Sequence, residues 1–121
     1  MKDDQTHIIE LKEKISKFCK DRDWDKIHTT KDLAIGVVTE ASELLDHFRF
    51  KSDDEIHAMF KNPTKREDIS DEIADITYFV MRIADRYGID VSEAVENKTK
   101  KNAEKYPIEK AKGSNKKYNE F

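Results

Sequence analysis

An all-α bundle of four to five helices is the fold class this sequence predicts, and three observations predict it. Apolar residues recur at helical rather than alternating spacing along the long segments. Three glycines and two prolines in 121 residues are too few for a turn-rich β design. Two Ser/Thr-x-x-Glu signatures, Ser52 to Glu55 and Thr64 to Glu67, stand where helices would begin.

The elements follow in order. Ile8, Leu11, Ile15, Phe18 and Cys19 predict a first helix over about 6–21. A polar, aromatic loop then runs from Asp21 to His28. The second helix is expected from Thr30 to about Phe50, with Ala34, Val37, Val38, Ala41, Leu44, Leu45 and Phe48 as its buried stripe. Gly36 lowers helix propensity there and suits a close helix approach. Ser52 opens a short helix that Asn62 and Pro63 close, and the Thr64 box opens a long one ending at Tyr87 before Gly88. The main stripe of the long helix is Ile69, Ile73, Ile76, Val80, Ile83 and Tyr87. Its other side, Ala74, Thr77, Tyr78 and Met81, is too apolar for a free surface, so a subunit interface is expected there. Asp90 caps a last helix to about Lys105, and Pro107 ends it before a basic tail, residues 109–121.

One domain over residues 1–121 accommodates all of this, with a modest core that an oligomer would complete. With 36% hydrophobic and 40% charged residues, the helices must carry large solvated faces. The sole cysteine, Cys19, permits no internal disulfide and reads as a buried structural thiol in a reducing compartment. No apolar run approaches the roughly 20 residues that cross a bilayer, so a cytoplasmic chain without a membrane partner is expected. The net charge of −3 conceals an asymmetry: residues 98–121 hold eight Lys against three Glu, leaving an acidic remainder. That basic end suits counter-charge to a polyphosphate better than nucleic-acid binding, because the bulk of the chain is acidic.

The acid is concentrated in two matched pairs, Glu40-x-x-Glu43 and Glu72-x-x-Asp75, each inside an apolar-periodic segment. Residues three apart share a helix face. Four carboxylates from two facing helices would repel and raise one another's pKa unless a cation neutralised them, and an all-oxygen set suits Mg²⁺, with Mn²⁺ as a substitute. By this reading Glu40 and Glu43 lie beside the second helix's stripe, facing a cleft. A carboxylate-bridged di-iron or di-manganese redox bundle is the competing class, but such bundles use Glu-x-x-His on two helices and neither pair offers a histidine. His7, His47 and His57 fit no zinc spacing, and the absence of a glycine-rich phosphate loop excludes P-loop chemistry.

These residues resemble the MazG-type all-α nucleoside triphosphate pyrophosphohydrolases, defined by Glu-x-x-Glu, a spacer, then Glu-x-x-Asp. Arg22-Asp23-Trp24 with His28, Leu33, Val37 to Glu40, Asp71 to Ile76, Lys98, Asn102, Tyr106-Pro107 and Lys117-Tyr118 are similar to the dCTP pyrophosphatase branch. The resemblance implies Mg²⁺-dependent hydrolysis of a (deoxy)nucleoside triphosphate to monophosphate and pyrophosphate in nucleotide-pool sanitation, by a homo-oligomer, a dimer or tetramer. It implies metal ligation by Glu40, Glu43, Glu72 and Asp75, with Glu43 as the base that takes the water's proton. Trp24 and Phe50 become walls of the base site, His28 its lining and Asn102 a nucleotide contact, while Lys98, Lys117 and Tyr118 hold the outer phosphates. Phe50 stands where dCTP-specific relatives have a second tryptophan, and Phe79 where many members have a tyrosine. Both departures imply a broader deoxynucleotide range, with dUTP or dATP as alternative main substrates.

Overall fold

The computed structural model describes residues 1–121 and contains seven α-helices and no strand. The helices are α1 (Ile8–Lys20), α2 (Trp24–Ile27), α3 (Thr30–Phe48), α4 (Asp53–Lys61), α5 (Pro63–Arg86), α6 (Val91–Lys105) and α7 (Ile108–Ala111), with short 3-10 turns at Asp3–Gln5 and Tyr118–Glu120. They form two compact units, Met1–Gly88 and Ile89–Phe121. The all-α class is as the sequence predicts.

In the first unit α3 and α5 lie along one another, and α1 and α4 each pack on α5. The α3–α5 pair is antiparallel, since the Thr30 hydroxyl meets the Tyr87 hydroxyl while, further along, Gly36 meets Phe79. A Cβ built on Gly36 would sit 2.6–2.7 Å from ring carbons of Phe79, so the missing side chain is what admits the ring. Cys19, Leu33 and Ile69 are fully buried at the centre, with Met81 and Ala84 beside them.

Local sequence explains the helix starts. Thr29 accepts from the Asp32 amide at 3.1 Å while Asp32 accepts from the Thr29 amide at 2.9 Å, a reciprocal box at the head of α3. Ser52 and Glu55 do the same for α4. The expected Thr64 box is corrected: α5 is capped two residues earlier, by Asn62, whose side-chain oxygen accepts from the Thr64 and Lys65 amides. Pro63 then occupies the first helical position, where its lack of an N–H costs nothing. Residues expected as a loop also gain structure. Asp23 adopts φ +57°, a left-handed conformation that Asp tolerates, and this turns the chain into the single turn of α2.

The packed faces differ from the expected stripes. On α3 the residues turned inward are Leu33, Gly36, Val37, Glu40, Leu44, His47 and Phe48, whereas Ala34, Val38, Ala41 and Leu45 of the expected stripe are exposed. On α5 Ile73 and Val80 are exposed, while Tyr78 and Met81 turn towards α1, the Tyr78 hydroxyl lying 3.1 Å from Cys19 Sγ. Of the side inferred as a subunit interface, Tyr78 and Met81 are thus covered by α1 of the same chain, while Ala74 remains exposed. Both helices carry apolar residues on more than one side, so periodicity alone could not choose the inner side.

In the second unit Asp90 caps α6 by accepting from the Glu93 amide at 2.8 Å. Tyr118 and Phe121 both pack edge-on against Tyr106, at 6.1 and 5.9 Å between ring centres, which folds the basic tail back on the end of α6.

Replacement of Gly36 tests the α3–α5 contact. Gly36→Val is expected to destabilise by about 1–3 kcal/mol through overpacking against Phe79, although glycine is otherwise the poorer helix former. Urea unfolding gives the number, and an unchanged midpoint would show that the ring yields freely.

Candidate metal centre and aromatic pocket

Because Glu40 stands on the packed face of α3, it points at α5 rather than at an open cleft. One carboxylate oxygen each from Glu40, Glu43 and Glu72 lie within 4.8 Å of one another. Asp75, one turn along α5 from Glu72, is exposed at the edge of this group and still near enough for its charge to act on Glu40. The structure thus gathers three of the four expected ligands tightly and leaves the fourth at the rim.

Oε2 of Glu40 and Oε2 of Glu72 are buried and have no hydrogen-bond donor. Two ionised carboxylates cannot bond each other, since both only accept. A proton held between them changes this. Burial first, then contact with Glu72 and Glu43 and the charges of Glu43 and Asp75, push the Glu40 carboxyl up to about 7. Orphaned buried oxygens, mutual repulsion and an all-oxygen donor set together fit a hard divalent cation.

Asp75 also lines a second feature, a pocket of about 500 Å³ walled by Phe18, Trp24, Tyr78 and Ile15, with Lys14 among its lining residues. Its surface is mostly apolar, and Phe18 meets both other rings edge-on, 5.6 Å from Trp24 and 6.4 Å from Tyr78. Burial and the Cys19 thiol push the Tyr78 hydroxyl up to about 12, so it is a neutral wall. Two arginines of α5 fix the segment that carries Trp24. Arg82 Nη1 lies 2.8 Å from His28 Nδ1 and its Nη2 donates to Asp25 at 3.3 Å, while Arg86 donates to the His28 carbonyl at 2.8 Å. His28 in turn touches Trp24, ring centres 5.5 Å apart.

The other expected site residues are distributed as follows. Phe50 has φ +63° and is 92% exposed, its ring met only by the Arg49 guanidinium at 4.9 Å, so the first unit does not bring it to the pocket. Lys98 and Asn102 are exposed one turn apart on one face of α6. Lys117 is exposed, and Lys105 Nζ sits 4.9 Å above the Tyr118 ring.

The profile of the MazG-like family matches residues 35–121. The chain belongs to the MazG-like family. It is similar to dCTP pyrophosphatase 1 of Mus musculus and of Homo sapiens, each 30% identical over 106 residues, covering 88% of this chain. The match spans 62% of the length of both relatives. Its MazG-like fold is also similar to the crystal structure of a pyrophosphatase from Archaeoglobus fulgidus, at 34% identity and a TM-score of 0.77 over 85% of this chain and 94% of the other.

Sequence reasoning missed Phe18 and Tyr78 as pocket walls, and His47, whose Nε2 lies 3.9 Å from Glu72 Oε1. Signals existed in the MazG-like chain: Tyr78 is one turn from Asp75 and His47 one turn from Glu43, both on the helix face of an assigned acid.

The raised Glu40 pKa makes a prediction for metal-free protein. Folded protein holds the proton up to about 7 whereas the unfolded chain releases it near 4.5. Stability from this group is therefore complete below the unfolded value and is lost as pH rises through the folded one. Urea midpoints in EDTA should fall between pH 5 and 8, and Glu40→Gln should flatten that dependence and raise the midpoint at pH 8. A wild-type midpoint indifferent to pH would refute the shared-proton account.

Proposed function

We propose that this chain is a divalent-cation-dependent nucleoside triphosphate pyrophosphohydrolase acting on deoxynucleotides, with dCTP the leading candidate substrate and a role in nucleotide-pool sanitation. The observation that carries the reading is the position of Asp75, which belongs at once to the carboxylate group and to the aromatic pocket. A polyphosphate and a base joined in one molecule need that adjacency. The names of the relatives support it, one set being dCTP pyrophosphatases and the structural neighbour a pyrophosphatase.

Glu40, Glu43, Glu72 and Asp75 would hold Mg²⁺ or Mn²⁺. When bound, such a cation neutralises phosphate oxygens and acidifies water. Glu43 is the exposed member of its pair, placed to accept the proton of a water that attacks the α-phosphorus. The bond from that phosphorus to the bridging oxygen breaks, giving monophosphate and pyrophosphate without a covalent enzyme intermediate. Trp24, with Phe18 and Tyr78, would stack on the base. His28 holds Trp24 rather than reading the base itself. Lys98 and Lys117 would neutralise the departing pyrophosphate with the Tyr118 hydroxyl binding beside them, and Asn102 would contact the nucleotide. Phe79 is engaged with Gly36 as a packing residue.

A homo-oligomer is part of the reading. Ile35, Val38 and Leu45 on α3 and Ile73 and Val80 on α5 are 41–66% exposed, an apolar surface suited to a second copy. Phe50, fully displayed, suits a site wall completed in such an assembly.

Incubation with each dNTP and Mg²⁺, read by ³¹P NMR, is expected to yield monophosphate and pyrophosphate, with dCTP among the best substrates. Orthophosphate with diphosphate, or no turnover of any base, would overturn the proposal. Glu43→Gln should lower kcat by about 10²- to 10⁴-fold, the contribution of a general base, without loss of helicity by circular dichroism.

A further inference from the structure

Among the side chains not used above, His47 stands against the carboxylate cluster. It lies on α3 one turn beyond Glu43, and its side chain is 21% exposed. Its Nε2 faces Glu72 Oε1 at 3.9 Å, and Glu72 itself is 17% exposed. The two oxygens of Glu72 therefore differ. Oε1 has an imidazole nitrogen beside it, while Oε2 is buried without any donor.

We propose that His47 is a positioning residue for the cation site: its Nε2–H holds Oε1 of Glu72 so that Oε2 is the oxygen presented to a divalent cation. The proposal rests on the cation reading given above and goes beyond it, because it assigns a role to a residue outside the four acids. Either the neutral Nε2–H tautomer or the imidazolium supplies the donor, so the role does not depend on the protonation state of His47. The separation is longer than a direct hydrogen bond, and a small rotation of either side chain or a bridging water closes it. An acid held at one oxygen loses less rotamer freedom when the other binds a cation, which is how outer partners raise metal affinity.

The test compares His47→Leu, which removes the donor at similar bulk, with His47→Gln, which retains an N–H. Mn²⁺ and Mg²⁺ binding is measured by isothermal titration calorimetry without nucleotide, beside thermal unfolding in EDTA. His47→Leu should bind Mn²⁺ at least about tenfold more weakly, within the usual range for an outer partner, with melting unchanged, and His47→Gln should recover most of the loss. In turnover, the defect should appear as a higher Mn²⁺ requirement while kcat at saturating Mn²⁺ stays near wild type. Wild-type affinity in His47→Leu, or equal weakening in both variants, overturns the proposal while leaving the cation reading intact. A wild-type protein that binds neither ion overturns both.

Discussion

The close approach of α3 and α5 at Gly36 and Phe79 is the constraint on which the rest of the structure depends. With no side chain on Gly36, the Phe79 ring fills the space a Cβ would need, and this fixes the axial register of two antiparallel helices. One turn on along α3 and two turns back along α5, that register brings Glu40 against Glu72. A slip of one residue would turn the carboxylates to different faces and place apolar side chains where oxygens now meet. Packing and electrostatics are thus set by one contact. The buried contacts around Leu33 and Ile69 offset the cost of holding like charges together on the same interface.

The long helix α5 then distributes the site along its length. Glu72, Asp75, Tyr78 and Arg82 fall within an arc of about 120° at ideal helical geometry, and each serves a different part: two acids, a ring wall, and the guanidinium that ties down the Trp24 segment. A rigid helix keeps these parts at fixed spacing. The segment from Asp23 to Thr29 has little core of its own, and its order comes from polar contacts with Arg82 and Arg86. Buried cations are costly unless paired. Here Asp25, His28 and backbone carbonyls pair them, and the pairing places an aromatic residue beside an acid.

Much of the fold was legible in the sequence because helix signals are local. Spacing, Asp90, Ser52 and Gly88 marked the elements, and the buried thiol of Cys19 followed from its place on a stripe. The inner side of α3 and α5 was not legible. Val38 and Leu45 are as apolar as Val37 and Leu44, so the pattern alone had two solutions, and the fit of Phe79 to Gly36 goes with one of them. Asn62 won over Thr64 as the cap because Pro63 is preformed for the first helical turn, a preference that a Ser/Thr-x-x-Glu search does not weigh. The acid pairs were legible as an anomaly, yet their burial was not, since Glu40 was expected beside the core rather than on it. Phe18 and Tyr78 were hidden as ordinary stripe residues, and their role appears only when α1 meets α5.

Placing Glu40 on the packed face has a consequence for how a cation would be held. An exposed group of four acids would ionise fully near neutrality and would recruit cations loosely from solvent. Here burial and its neighbours push the Glu40 carboxyl up to about 7, so it takes up a proton below neutrality that an ordinary carboxylate would not hold. A cation held by Glu40, Glu43, Glu72 and Asp75 would take the place of that proton, and its occupancy would be linked to pH across the neutral range. The proton also spares the metal-free fold the full repulsion among its acids. The same burial that makes Glu40 and Glu72 costly to ionise would strengthen their attraction for a cation, and the helix pair that carries them is the one most extensively packed.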